Sequence, residues 1–182
     1  MQKWESKIEK TAFWRGLAGF LRIMLIISGS LVALITFAAV IARAMNINLL
    51  GYEEILIIWA FWLYMFGAAY GSYEDSHIKA DIIVVMMKPG FKKDVIAILR
   101  TTLSVVLGFI FMLWAFQLFM WTVENGQQTP VWRIPVTVSQ SSLLFGLGVG
   151  TFYHLVYLYD DWKVFIIRNF KKNAVLNEGR GE

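Results

Sequence analysis

Glu74, His77 and Asp81 stand at i, i+3 and i+7, so a helix running through them carries two carboxylates and an imidazole on one face. Flanking acids favour the charged imidazole, which suits a pH-responsive joint and suits equally a solvated polar face where a helix leaves a membrane. Without a second histidine beside them, the three make a poor metal site. The other histidine, His154, opens a different chemistry, because haem iron in membrane redox subunits is held by histidines. Glu53 and Glu54 form an acidic pair, but adjacent residues on a helix diverge by about 100° and do not converge as catalytic carboxylates. They complement the positive start of a helix or contact a partner. The chain has no cysteine, which removes disulfides, thiolate zinc sites and cysteine nucleophiles. No catalytic constellation emerges, and the chain reads as a non-enzyme.

The elements that must position these residues are set by where charge is missing. Of the 182 residues, 58% are hydrophobic and 16% charged, against about 25% charged in soluble domains. Residues 23–42, 55–73, 101–123 and 134–159 contain no Asp, Glu, Lys or Arg. At 1.5 Å per residue the shortest of these reach about 28–30 Å, which matches a hydrocarbon core of about 30 Å. The expected fold is an all-α integral membrane protein, one membrane domain over 1–182. Its parts are an interfacial segment 1–22, transmembrane helices at 23–42, 55–73, 95–123 and 134–159, a cytoplasmic amphipathic segment 74–94 and a cytoplasmic tail 160–182. Phe13, Trp14, Leu17, Phe20 and Leu21 fall on one side of a helical wheel with Arg15 and Arg22 opposite, the pattern of a helix lying flat on a membrane surface.

Orientation follows from the basic residues. The five segments outside the spans hold five, one, five, one and five Lys or Arg in chain order, with Arg43 and Arg133 alone in the two poor loops. The positive-inside rule puts both termini in the cytoplasm. The net charge of +4 therefore records topology and does not point to nucleic acid. Ala42-Arg43-Ala44 has the look of a signal-peptide cleavage site, but 22 residues followed by 20 apolar ones exceed a secretory leader, whose apolar core runs about 7–15 residues. An uncleaved anchor is expected. Trp121 and Trp132 mark the outer interface, and Tyr157, Tyr159 and Trp162 the inner one.

Inside the spans only His154 is an ionisable group of the kind used for ion or proton coupling, so the helices read as a scaffold. Gly67 and Gly71 in the second span, and Gly146 and Gly150 in the fourth, have the small-xxx-small spacing that lets helix backbones approach closely.

The ordered set of an acidic pair opening span two, then Trp59, Phe61, Gly67-Ala68 and His77-Ile78-x-x-Asp81, with Thr129 to Pro135 leading into span four, resembles the small membrane subunit (DctQ, or Q subunit) of tripartite ATP-independent periplasmic (TRAP) transporters. The likeness covers nearly the whole chain. It implies an accessory subunit, without a cofactor of its own, that pairs with a large elevator-type membrane subunit carrying the substrate and sodium sites. A periplasmic binding protein would deliver an organic acid such as a C4-dicarboxylate or sialic acid, and a sodium gradient would drive uptake. It further implies a bacterial or archaeal inner membrane, with Glu53, Glu54 and Arg133 facing the binding protein. Trp59, Gly67 and Gly71 would pack against the large subunit, and His77 and Asp81 would sit at the cytoplasmic exit. Past Pro135 the chain departs from the family pattern, with Thr137, Ser139, Gln140, Ser141 and Ser142 where relatives often carry aromatic residues and a second proline. Two other readings stand beside it: a haem b and quinone-binding anchor of a redox complex, built on His77 and His154, and a self-associating small channel.

Overall fold

A computed structural model describes residues 12–74 and 91–178, with side chains over 13–74 and 95–167. Four helices account for most of them: α1 (Ala12–Ala44), α2 (Tyr52–Tyr73), α3 (Phe91–Glu124) and α4 (Thr137–Glu178). Each contains a stretch long and apolar enough to cross a membrane. α2, with 22 residues, is about 33 Å long and just fits the hydrocarbon, whereas the others overrun it.

The helix ends follow local chemistry. α1 stops where Asn46 adopts a left-handed φ of 56° and the Ile47 N–H closes back on the Ala42 carbonyl at 2.9 Å. α3 stops in the same way, with Gly126 at φ 57° and the Gln127 N–H on the Thr122 carbonyl. Both are Schellman-type ends, which satisfy carbonyls that a helix terminus leaves open.

Two boundaries differ from the sequence expectation. The segment read as a separate interfacial helix is continuous with the first span, because nothing between Phe13 and Arg22 breaks the helix. Half of its apolar stripe is taken by tertiary packing: Trp14 and Leu21 are buried, Leu17 packs beside them, and Phe13 and Phe20 remain exposed. The fourth helix begins at Thr137, three residues late, since Ile134 and Val136 give their N–H groups to Thr129 and Gln127 across a turn.

The helices form a folded row in which α1 also reaches α4 through side chains, Trp14 meeting Phe152, Tyr153 and Tyr157 and Phe20 meeting Phe145. α1 packs on α2, α2 on α4, and α4 on α3; no other helix pair is in backbone contact among the described residues. The outward surface is apolar: Ile23, Ile26, Leu34 and Phe37 on α1 and Leu103, Leu113 and Trp114 on α3 are exposed. Such surface would drive aggregation in water, but it costs little in lipid. Cohesion comes from close packing. The core joins Trp14, Leu21, Phe66, Ala69 and Tyr153, with the Trp14 and Tyr153 rings edge to face at 4.6 Å. A Cβ on Gly146 would come within 2.8 Å of Met65 Cβ and 3.0 Å of its carbonyl oxygen, so α2 and α4 cross nearly backbone to backbone there. Serine and threonine hydroxyls inside the spans mostly return to their own helix, as in Ser28 to Met24 and Thr122 to Leu118. Hydrogen bonds also tie helices together at the end away from the short loops: Thr101 Oγ1 donates to Asp161 Oδ2 at 2.7 Å, and the Tyr157 hydroxyl to the Tyr73 carbonyl at 2.6 Å.

Candidate docking site at the loop end

The two short loops, 45–51 and 125–136, meet at the end of the row that the charge count puts outside the cell. α2 starts there from Gly51, whose φ of 82° is left-handed. The position admits no side chain, because a Cβ would collide with the Trp132 indole nitrogen. Two residues into the helix the chain presents Glu53 to the exterior, and the next position turns Glu54 inward, 8% exposed.

The Glu54 carboxylate organises the facing loop. Its oxygens accept the Val131 N–H at 2.7 Å and the Trp132 N–H at 2.9 Å. The loop closes on itself as well. Thr129 N–H donates to the Ile134 carbonyl at 2.9 Å, Ile134 N–H donates to Thr129 Oγ1 at 2.9 Å, and Gln128 and Pro135 form an isolated antiparallel bridge. Arg133 completes the turn in a left-handed conformation, φ 51°, a strained setting for a side chain with a Cβ. Val131, Trp132 and Arg133 are thereby held exposed on a rigid loop.

Of the sequence-identified residues, Glu53, Glu54 and Arg133 are gathered at this end, in different roles. Glu54 is occupied by its own chain, whereas Glu53 and Arg133 are free on the surface to meet another molecule. Trp59, Gly67 and Gly71 lie half-buried along α2. Gly67 faces Leu25 of α1 at an ordinary 3.8 Å, while the tight crossing belongs to Gly146. His77 and Asp81 lie outside the described residues. Among the described residues no group of three His, Asp or Glu side chains is arranged to hold a metal. Sequence reasoning missed Trp132 and Thr129 as parts of the site. Their presence in a Thr-Pro-Val-Trp-Arg-Ile-Pro run was visible, but the Glu54 partner lies 77 residues away.

A cavity of about 720 Å³ adjoins the site, bounded by the last turn of α1, the loop to α2, the start of α2 and the beginning of α4.

A family model described as tripartite ATP-independent periplasmic transporters, DctQ component, matches residues 32–164. No curated protein and no solved structure matches the chain. The matched region runs from the middle of α1 to α4 and includes Glu54 and the whole loop it binds.

Proposed function

The chain belongs to the DctQ family, the small membrane component of tripartite ATP-independent periplasmic transporters, and from that premise we propose that it is the immobile accessory subunit of a sodium-coupled importer of organic acids in a prokaryotic inner membrane. In this reading the large membrane subunit binds substrate and sodium and moves, while this chain braces the static part of that subunit and helps seat the periplasmic binding protein. No cofactor is assigned to this chain.

The observation that carries the reading is the broad apolar surface the helices leave uncovered. Exposed apolar side chains run the length of α1 and α3, which leaves surface for a protein partner as well as for lipid. In a bilayer the hydrophobic effect does not drive helices together, so such a partner would be held by close packing. The close crossing at Gly146 and the aromatic core that joins α1, α2 and α4 suit a stiff support that resists the forces of a moving neighbour. At the outer end the Glu54 clamp fixes Trp132 and Arg133 before any partner arrives, which reduces the ordering cost of docking. Glu53 and Arg133 then supply rim charges that affect encounter more than grip.

Two measurements test it. Arg133→Glu is expected to weaken substrate uptake when binding protein is limiting, without changing expression or association with the large subunit; unchanged uptake removes the docking role. Failure of the wild-type chain to co-purify with a large multispanning protein removes the bracing role.

A further inference from the structure

The cavity at the loop end carries opposite charges at its mouth and an apolar wall along α2. Arg43 on the last turn of α1 and Glu53 on the first turn of α2 both line it at the loop end. Among the described residues neither side chain is engaged in a hydrogen bond or ion pair. Below them one side of the wall is apolar, with Ala39 one turn down α1 and Ile57 and Phe61 one and two turns down α2, while Ser139 and Gln140 of α4 line the other. Phe61 is eight residues from Glu53, about 12 Å along the axis, so the cavity passes from the interface well into the hydrocarbon. Ile57 and Phe61 are also exposed on the face of the row, 52% and 38%, which opens the cavity sideways to the bilayer. Its volume of about 720 Å³ is in the range of sites that hold small ligands, about 300–1,000 Å³.

We propose that this cavity binds one phosphatidylethanolamine molecule from the outer leaflet, with its phosphate on Arg43, its ammonium on Glu53 and an acyl chain along Ile57 and Phe61. A guanidinium forks onto phosphate oxygens with two charge-assisted bonds. Glu54 does not compete for the headgroup, since its oxygens are already bonded to the loop. The opposite charges at the mouth match a zwitterion. An anionic glycerol headgroup would satisfy Arg43 but leave Glu53 facing negative charge, and a choline headgroup, without N–H donors, would give Glu53 no hydrogen bond.

The test is native mass spectrometry of the full chain in mild detergent, delipidated and then offered phosphatidylethanolamine, phosphatidylglycerol or phosphatidylcholine. The wild type is expected to retain one phosphatidylethanolamine at least fivefold better than either competitor. Arg43→Gln should reduce that retention about tenfold. Glu53→Gln should bring phosphatidylethanolamine and phosphatidylglycerol within twofold of each other, while Arg15→Gln at the opposite end should change nothing. Equal retention of the three lipids by the wild type overturns the proposal, as does full retention by Arg43→Gln. Should Arg43→Gln not fold, the Glu53→Gln preference decides alone. A negative result here leaves the accessory-subunit reading untouched, since that rests on co-purification.

Discussion

Replacing Gly146 and Gly148 by alanine, one at a time, isolates the close crossing of α2 and α4. The two glycines sit two residues apart on α4, and each alanine gains the same helix propensity, about 0.8–1 kcal/mol over glycine. Their surroundings differ. At Gly148 a new methyl meets nothing within 4 Å, whereas at Gly146 it lies 2.8 Å from Met65 Cβ, 3.0 Å from its carbonyl oxygen and 3.1 Å from its Cα. Two of these three atoms are backbone, so no rotamer of Met65 clears the contact. To restore an ordinary carbon–carbon separation of about 3.5–4.0 Å, α4 must withdraw from α2 by roughly an ångström. That shift also loosens Phe145 from Phe66 and Trp62, whose rings stand 5.5 and 6.0 Å from it. Overpacking of this kind costs about 1–3 kcal/mol. Because the propensity gain cancels in the difference, Gly146→Ala should be about 1–3 kcal/mol less stable than Gly148→Ala. In thermal unfolding of the detergent-solubilised chain, at about 2–4 °C per kcal/mol for this size, Gly148→Ala should equal or exceed the wild-type Tm and Gly146→Ala should fall below it. Equal Tm values for the two variants would refute the close crossing.

Glu54→Ala removes the acceptor that holds the loop, so the Val131 and Trp132 amides should exchange with deuterium faster and uptake should fall, with helix content unchanged; protection equal to wild type would mean that the loop holds itself. Gly51→Ala meets both a left-handed φ and the Trp132 ring, whereas Gly126→Ala meets the φ cost alone. The first should therefore lower Tm more than the second, and equal losses would remove the Trp132 contact from the account. For Thr101 and Asp161, a double-mutant cycle with Thr101→Val and Asp161→Ala should give a coupling of about 0.6 kcal/mol, with roughly 1.7 kcal/mol as an upper bound for such bonds in membranes. Zero coupling would mean that the 2.7 Å bond does not join α3 to α4.

The four helices were legible because a bilayer imposes a length and forbids charge, and those constraints act on contiguous sequence. The Asn46 and Gly126 ends were marked by residue types that tolerate a left-handed φ. What stayed hidden depends on which helix meets which. The order α1, α2, α4, α3 has no signature in any single span, because every span is apolar all round. For the same reason the glycines could not be sorted: Gly67 and Gly146 have equivalent spacing, yet one faces a flexible Leu25 side chain and the other the Met65 backbone. The continuity of α1 was masked by Arg15 and Arg22, which mimic the polar face of a surface helix while Trp14 and Leu21 find partners on other helices. Glu54 was found as a residue but not as a clamp. Its two readings, dipole cap or partner contact, both assumed an exposed carboxylate, and burial under a loop 77 residues away is a tertiary fact.

Reconstitution into proteoliposomes tests the central claim most directly. The large membrane subunit and the binding protein are combined with and without this chain, and sodium-driven uptake of the organic acid is followed. An accessory subunit predicts uptake only when all three proteins are present and no sodium or substrate flux from this chain alone. Full uptake in its absence, or ion flux through it by itself, would contradict the account.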